Sequence, residues 1–134
     1  MNAKPFLDTN VVVYAFSSGD PRNEEAAQLL QAGAVTSVQV LNEFVHVSRR
    51  KQRRDWEEIE DTLDVLKTLL DPPQPLTVDV HETAIAVARK YGFSIYDSLI
   101  VAAALRAGCS TLYSEDLQAG QRIEQLTIRN PFTQ

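Results

Sequence analysis

The run Leu99-Ile100-Val101-Ala102-Ala103-Ala104-Leu105 sets seven apolar residues in succession, with no polar face. It predicts a helix from Asp97 to Ala107, stopped by Gly108. A helix apolar on all sides has none to give to water and must be covered all round. It is also shorter than the ~18 apolar residues that would read as a membrane span. The chain must therefore wrap this helix with its own layers. At 134 residues, a single domain over 1–134 has enough core to do so without disulfide or structural zinc.

The remaining segments supply those layers. Short apolar stretches at Lys4 to Leu7, Ala34 to Thr36, Leu76 to Val78, Thr111 to Tyr113 and Leu126 to Ile128 read as strands. Helices are expected between them. One spans Asn10 to Phe16 with Thr9 or Asn10 as cap, and one spans Asn23 to Gln31 with Asn23 as cap and Gly33 as stop. Ser37 caps a long helix carrying Val40, Leu41, Phe44, Val45 and Val47. Asp55 with Glu58 forms a capping-box pair before the stripe Ile59, Leu63, Leu66 and Leu70, and Asp79 with Glu82 repeats that pair before a helix ended by Gly92. Asp71-Pro72-Pro73-Gln74-Pro75 is a loop inside the domain. Strands alternating with helices specify a parallel α/β sheet covered on both faces.

Against this frame, four acids stand where acids are costly. Asp8 ends Pro5-Phe6-Leu7, and Glu43 interrupts an apolar helix pattern. Asp97 opens the all-apolar helix, and Asp116 follows Thr111-Leu112-Tyr113-Ser114-Glu115. A carboxylate beside a core needs a partner, and several together repel unless a hard cation such as Mg²⁺ or Mn²⁺ joins them. In parallel sheets, ligands bind beyond the carboxyl ends of the strands, where Asp8 and Asp116 fall. Each acid also has a plainer reading: Asp97 as a helix cap, Glu43 as a half-exposed helix charge.

Net charge is −5, against a broadly basic nucleic-acid surface. Yet Arg49, Arg50, Lys51, Arg53 and Arg54 hold five of the 13 basic residues within six positions. The run is either a solvated helix end favoured by the dipole or a phosphate-binding patch. The one cysteine, Cys109, has no internal partner, and with two histidines a zinc site is not expected. No signal segment precedes Asp8, so the expected compartment is the cytosol.

The segments Leu7-Asp8-Thr9-Asn10-Val11, Asn42-Glu43-Phe44, Tyr96-Asp97-Ser98-Leu99 and Ser114-Glu115-Asp116-Leu117 together resemble the four motifs of PIN-domain nucleases. In order, spacing and length they are most similar to VapC-type toxins of bacterial toxin–antitoxin pairs. The resemblance implies a PIN-like three-layer α/β/α sandwich with a central, mostly parallel sheet of four to five strands. It implies an Mg-dependent endoribonuclease (Mn as alternative metal) leaving 5′-phosphate and 3′-hydroxyl ends, often a homodimer, held inactive by a VapB-like antitoxin. Asp8 and Asp97 would be the main metal ligands, with Glu43 and Asp116 completing the pocket directly or through water. Thr9, Asn10 and Ser114 match the family's supporting polar positions. Glu115 adjoins Asp116, so two residues compete for the fourth acid.

Three other readings compete with this one. Glu43-Phe44-Val45-His46 is one Glu-x-x-His pair, and a di-iron bundle site needs two. Asp8-Thr9-Asn10 lacks the second carboxylate of a phosphotransfer hydrolase that opens with Asp-x-Asp after its first strand. A catalytically inactive PIN-like module that binds RNA or protein is the main alternative.

Overall fold

The computed structural model describes residues 2–133. β1 (Phe6–Leu7) leads into α1 (Thr9–Ala15), followed by α2 (Asn23–Ala32), α3 (Val38–Arg50), α4 (Trp56–Leu69), α5 (Val78–Tyr91) and α6 (Ile95–Arg106). β2 (Thr111–Tyr113), β3 (Arg122–Ile123) and β4 (Leu126–Arg129) close the chain. The four strands form one sheet in the order β1-β2-β4-β3, parallel except for the β3–β4 pair. The fold class is therefore the mixed α/β architecture expected, at the lower strand count.

Consecutive strand residues face opposite sides of a sheet, and Phe6 and Leu7 are both fully buried. Both faces of β1 are therefore covered. Leu112, Leu126 and Ile128 extend that core across the sheet, and Phe44, Leu66, Val87, Ile100, Val101 and Ala104 join it from the helices. Seven consecutive α6 residues, Ser98 to Ala104, are buried, as its apolar run requires.

Four local expectations change. Leu76 to Val78 is not a strand. Prolines 72, 73 and 75 lack the N–H groups a ladder needs, and Thr77 instead caps α5, its side chain accepting from the Val80 amide at 3.1 Å. The sheet-like pairing falls earlier, as a single bridge between Ser37 and Gln74. Ala34 to Thr36 likewise contributes a bridge, Val35 to Phe6, rather than a strand of its own. Asn23 is not the cap of α2; Arg22 holds that position, while the Asn23 amide turns back to the carbonyls of Tyr14 and Ala15 at 2.9 and 3.2 Å. The β3 strand gave no strong signal because its hairpin turns through Glu124, which sits at φ 55° without a glycine. Ser37, the Asp55–Glu58 capping box and left-handed Gly92 stand where they were expected.

Candidate active site

The parallel register fixes the first contact of the site. Leu7 pairs with Tyr113, so the next residue of each strand, Asp8 and Ser114, emerges at the same sheet edge. The Ser114 hydroxyl donates to Asp8 Oδ2 at 2.7 Å, and both residues are buried. The other oxygen, Oδ1, accepts from the Thr9 amide at 2.7 Å, so Asp8 rather than Thr9 or Asn10 caps α1. Burial is the main cause that lifts its pKa from an ordinary 3.8 to about 6. The two hydrogen bonds oppose that rise, and the charges of Asp97 and Glu43 add to it.

The two residues after Asp8 each tether another acid. Thr9 donates its hydroxyl to Glu43 Oε1 at 2.9 Å, while Gln39, one helical turn before Glu43, donates to Oε2 at 2.8 Å. Glu43 is thus clamped at both oxygens and is not a free surface charge. Asn10 spans the opposite side. Its amide donates to Asp116 Oδ2 at 3.1 Å, and its Oδ1 accepts from the Glu115 amide at 3.2 Å. The cap reading of Asp97 is overturned: Ser94 caps α6 and accepts from the Asp97 amide at 3.1 Å. Asp97 sits in the first helical turn, its pKa raised by burial and then by the charge of Asp116, with the Ser94 hydroxyl opposing.

The pair left open by sequence divides cleanly. Glu115 faces Tyr14 and Arg22, accepting from the tyrosine hydroxyl at 2.5 Å and from Arg22 Nη1 at 2.9 Å. Arg22 also pairs with Asp20 and lies over the Tyr14 ring, 3.7 Å from its centroid. Asp116 instead faces a hollow shared with Thr9, Asn10, Glu43 and Lys51. Neither Gln39 nor Arg22 was singled out from sequence. Gln39 carried a usable signal, being four residues before Glu43 on one helix face, whereas nothing local joins Arg22 to Glu115.

The basic run also divides. Arg54 reaches back to the Phe16 carbonyl, and Arg49 donates to the Arg54 carbonyl at 3.1 Å while its guanidinium lies over the Trp56 ring. These two hold the turn after α3. Arg50 and Arg53 are exposed, and Lys51 lines the hollow beside Asp116.

A family model of the PIN domain matches residues 6–122. The chain belongs to the PIN domain family. This PIN domain is similar in fold to several solved toxin structures. A Klebsiella pneumoniae toxin–antitoxin complex matches at TM-score 0.72 and 22% identity, covering 98% of each chain. Mycobacterium tuberculosis VapC20, a toxin that cleaves the sarcin–ricin loop, matches at TM-score 0.69 and 22% identity over 84% of this chain and 90% of that one. Rickettsia felis VapBC2, bound to a fragment of its promoter DNA, matches at TM-score 0.67 and 22% identity over 94% and 97%. No curated protein matches the chain in sequence.

The donor set suits a hard divalent cation. Asp8, Glu43, Asp97 and Asp116 offer only carboxylate oxygens, and none of them forms an ion pair with a lysine or arginine among the described residues. Among the described residues no three acid, histidine or cysteine side chains are arranged so that they could together hold a metal ion. Also among the described residues, no helix is long and apolar enough to cross a membrane.

Proposed function

We propose that this PIN domain is a metal-dependent endoribonuclease, the toxin of a toxin–antitoxin pair. The observation that carries this is Asp8: a buried carboxylate at a strand end, fixed at both oxygens, with no ion pair to a lysine or arginine among the described residues and two further acids in its field. Likeness to VapC20 and to toxin–antitoxin complexes supports the toxin reading.

In this reading Asp8 and Asp97 hold Mg²⁺ (or Mn²⁺), with Glu43 and Asp116 completing the pocket. When bound, such a cation lowers the pKa of a water and offsets phosphate charge. The protein's own part is alignment. Ser114 and the Thr9 amide fix the Asp8 carboxylate, Thr9 and Gln39 fix Glu43, and Asn10 fixes Asp116. Lys51 supplies a positive charge at the cleft for an RNA phosphate. Arg50 and Arg53 extend that charge along the rim. Glu115 is excluded from the acid group by Arg22. A VapB-like antitoxin and a second copy of the chain are the protein partners, and the protein works in the cytosol.

The test is induction of the chain in a bacterium, with sequencing of new RNA 5′ ends. Cleavage that appears with the native chain and vanishes with Asp8→Asn supports the nuclease. Equal cleavage by both overturns it. The lack, among the described residues, of three acid, histidine or cysteine side chains arranged to hold a metal ion favours one second reading, an inactive PIN-like module that binds RNA or antitoxin. Titration calorimetry with Mg²⁺ and Mn²⁺ separates the two, since the module gives no heat that depends on Asp8.

A further inference from the structure

Glu43 and Val47 line two neighbouring hollows at once. The first, of about 680 Å³, is completed by Gln39, Asn42, His46, Tyr96 and Asp97. The second, of about 360 Å³, holds Asn10, Lys51 and Asp116 among its walls. The two differ in charge. The first has two carboxylates, Glu43 and Asp97, and no lysine or arginine among its described lining residues, so without a bound cation it disfavours phosphate. The second carries Lys51 beside its acids. In the metal-free protein, a strand lying across Glu43 would therefore find a phosphate-compatible hollow on one side only.

What the first hollow offers is an aromatic ring and amides. Tyr96 is 63% exposed, unusual for a large aromatic residue in the first turn of a helix that is buried from Ser98 onward. Its backbone is held firmly: Ser94 caps the helix, and everything from Ser98 to Ala104 is buried. The ring is a platform on a fixed mount. Gln39 uses its amide N–H on Glu43 at 2.8 Å, which leaves its carbonyl oxygen to accept. Asn42 and His46 are exposed polar groups on the same helix. A flat uncharged ring with hydrogen-bonding edges fits this lining, and the volume lies in the range of small-molecule sites.

We propose that the first hollow is a nucleobase site, in which an unpaired base of the RNA stacks on Tyr96 and meets Gln39, Asn42 and His46 at its edge. This rests on the nuclease reading for its substrate class and adds what part of that substrate is gripped. Paired RNA keeps its bases stacked and cannot offer one to the ring, so the site selects single-stranded segments. Stacking on an aromatic ring accepts any base, so sequence preference would come from the amides rather than from Tyr96.

The experiment uses the full chain without metal, so that binding is read without cleavage. In a Trp56→Phe background, Tyr96→Trp makes the platform the chain's single tryptophan. Its fluorescence should be quenched by a short single-stranded RNA and left unchanged by the same sequence closed in a duplex. Tyr96→Ala should weaken single-strand binding roughly tenfold, and Tyr96→Phe should restore it. With metal, Tyr96→Ala should raise KM more than it lowers kcat. Native affinity in Tyr96→Ala, or equal loss in Tyr96→Phe, overturns the base site. If Tyr96-dependent binding is found but no RNA is ever cut, the base site stands and the nuclease reading falls. If RNA is cut and Tyr96→Ala has native KM, the reverse holds.

Discussion

Thr9 donates its hydroxyl to Glu43 across 34 residues of chain, at 2.9 Å. The bond ties the start of α1 to the middle of α3, and it makes the neighbour of one acid the support of another. Removing it with Thr9→Val leaves Glu43 held by Gln39 alone. Stability should fall by about 1 kcal/mol, the usual worth of one hydrogen bond. Metal affinity should fall further, by roughly 10- to 100-fold, as with other outer supports of metal ligands. Calorimetry with Mg²⁺ beside thermal melts checks the two effects separately. Equal and small changes in both would make the bond a packing detail.

Asp8 predicts an inverted pH dependence of stability in the metal-free protein. Its pKa is about 6 when folded against 3.8 ordinarily, so between those values the folded state binds more protons than the unfolded chain. Stability must then fall as pH rises from about 4 to about 6, and stay lowered above that. The cost at neutral pH is about 3 kcal/mol. Asp8→Asn removes the charge and should raise Tm at pH 7.5 by roughly 5 °C or more, while abolishing cleavage. Added Mg²⁺ should stabilise the native chain and not the variant. Denaturant titrations at pH 4.5 and 7.5 on both proteins measure this.

The division between Glu115 and Asp116 predicts opposite phenotypes for adjacent residues. Asp116→Asn should leave the melt nearly unchanged and lower kcat by about 100-fold or more, in the range of one lost electrostatic contact in a site. Glu115→Gln should cost about 1 kcal/mol by freeing Arg22 and Tyr14, with kcat changed only a few-fold. Rates and melts of the two variants, measured side by side, decide it. A larger rate loss for Glu115→Gln would reverse the assignment.

Within the basic run, the prediction is unequal effects from equal charge changes. Lys51→Glu should weaken RNA binding most and reduce its salt slope by about 1. Arg50→Glu and Arg53→Glu should do so less. Arg49→Glu and Arg54→Glu should act mainly by lowering Tm, since those side chains hold the turn after α3. Salt-dependent binding curves distinguish these; identical slopes for all five would return the run to a solvated helix end.

Much of this molecule was legible in its sequence because the signals were local. The apolar run in α6, the Asp55–Glu58 capping box and Gly92 each follow from a few adjacent residues. The acids were legible for the same reason, as charges in apolar surroundings. What was not legible depends on distant partners. Whether Glu115 or Asp116 faces the cleft turns on Arg22, 93 residues away from Glu115. The strand expected at Leu76 to Val78 failed because a threonine cap and three prolines outweighed a weak β preference. Val35 pairs with Phe6 through a single bridge too short to leave a periodic signature.

The placement of β2 beside β1 has a consequence for order of assembly. β1 finds its ladder partner only in residues made more than 100 positions later, and Ser114 cannot reach Asp8 before then. Asp97 and Asp116 also belong to the last third of the chain. A ribosome making this protein therefore releases nearly all of it before the group of four acids can form. Until then the carboxylates of Asp8 and Glu43 stand without their two late neighbours, and the site is assembled only as the chain is completed.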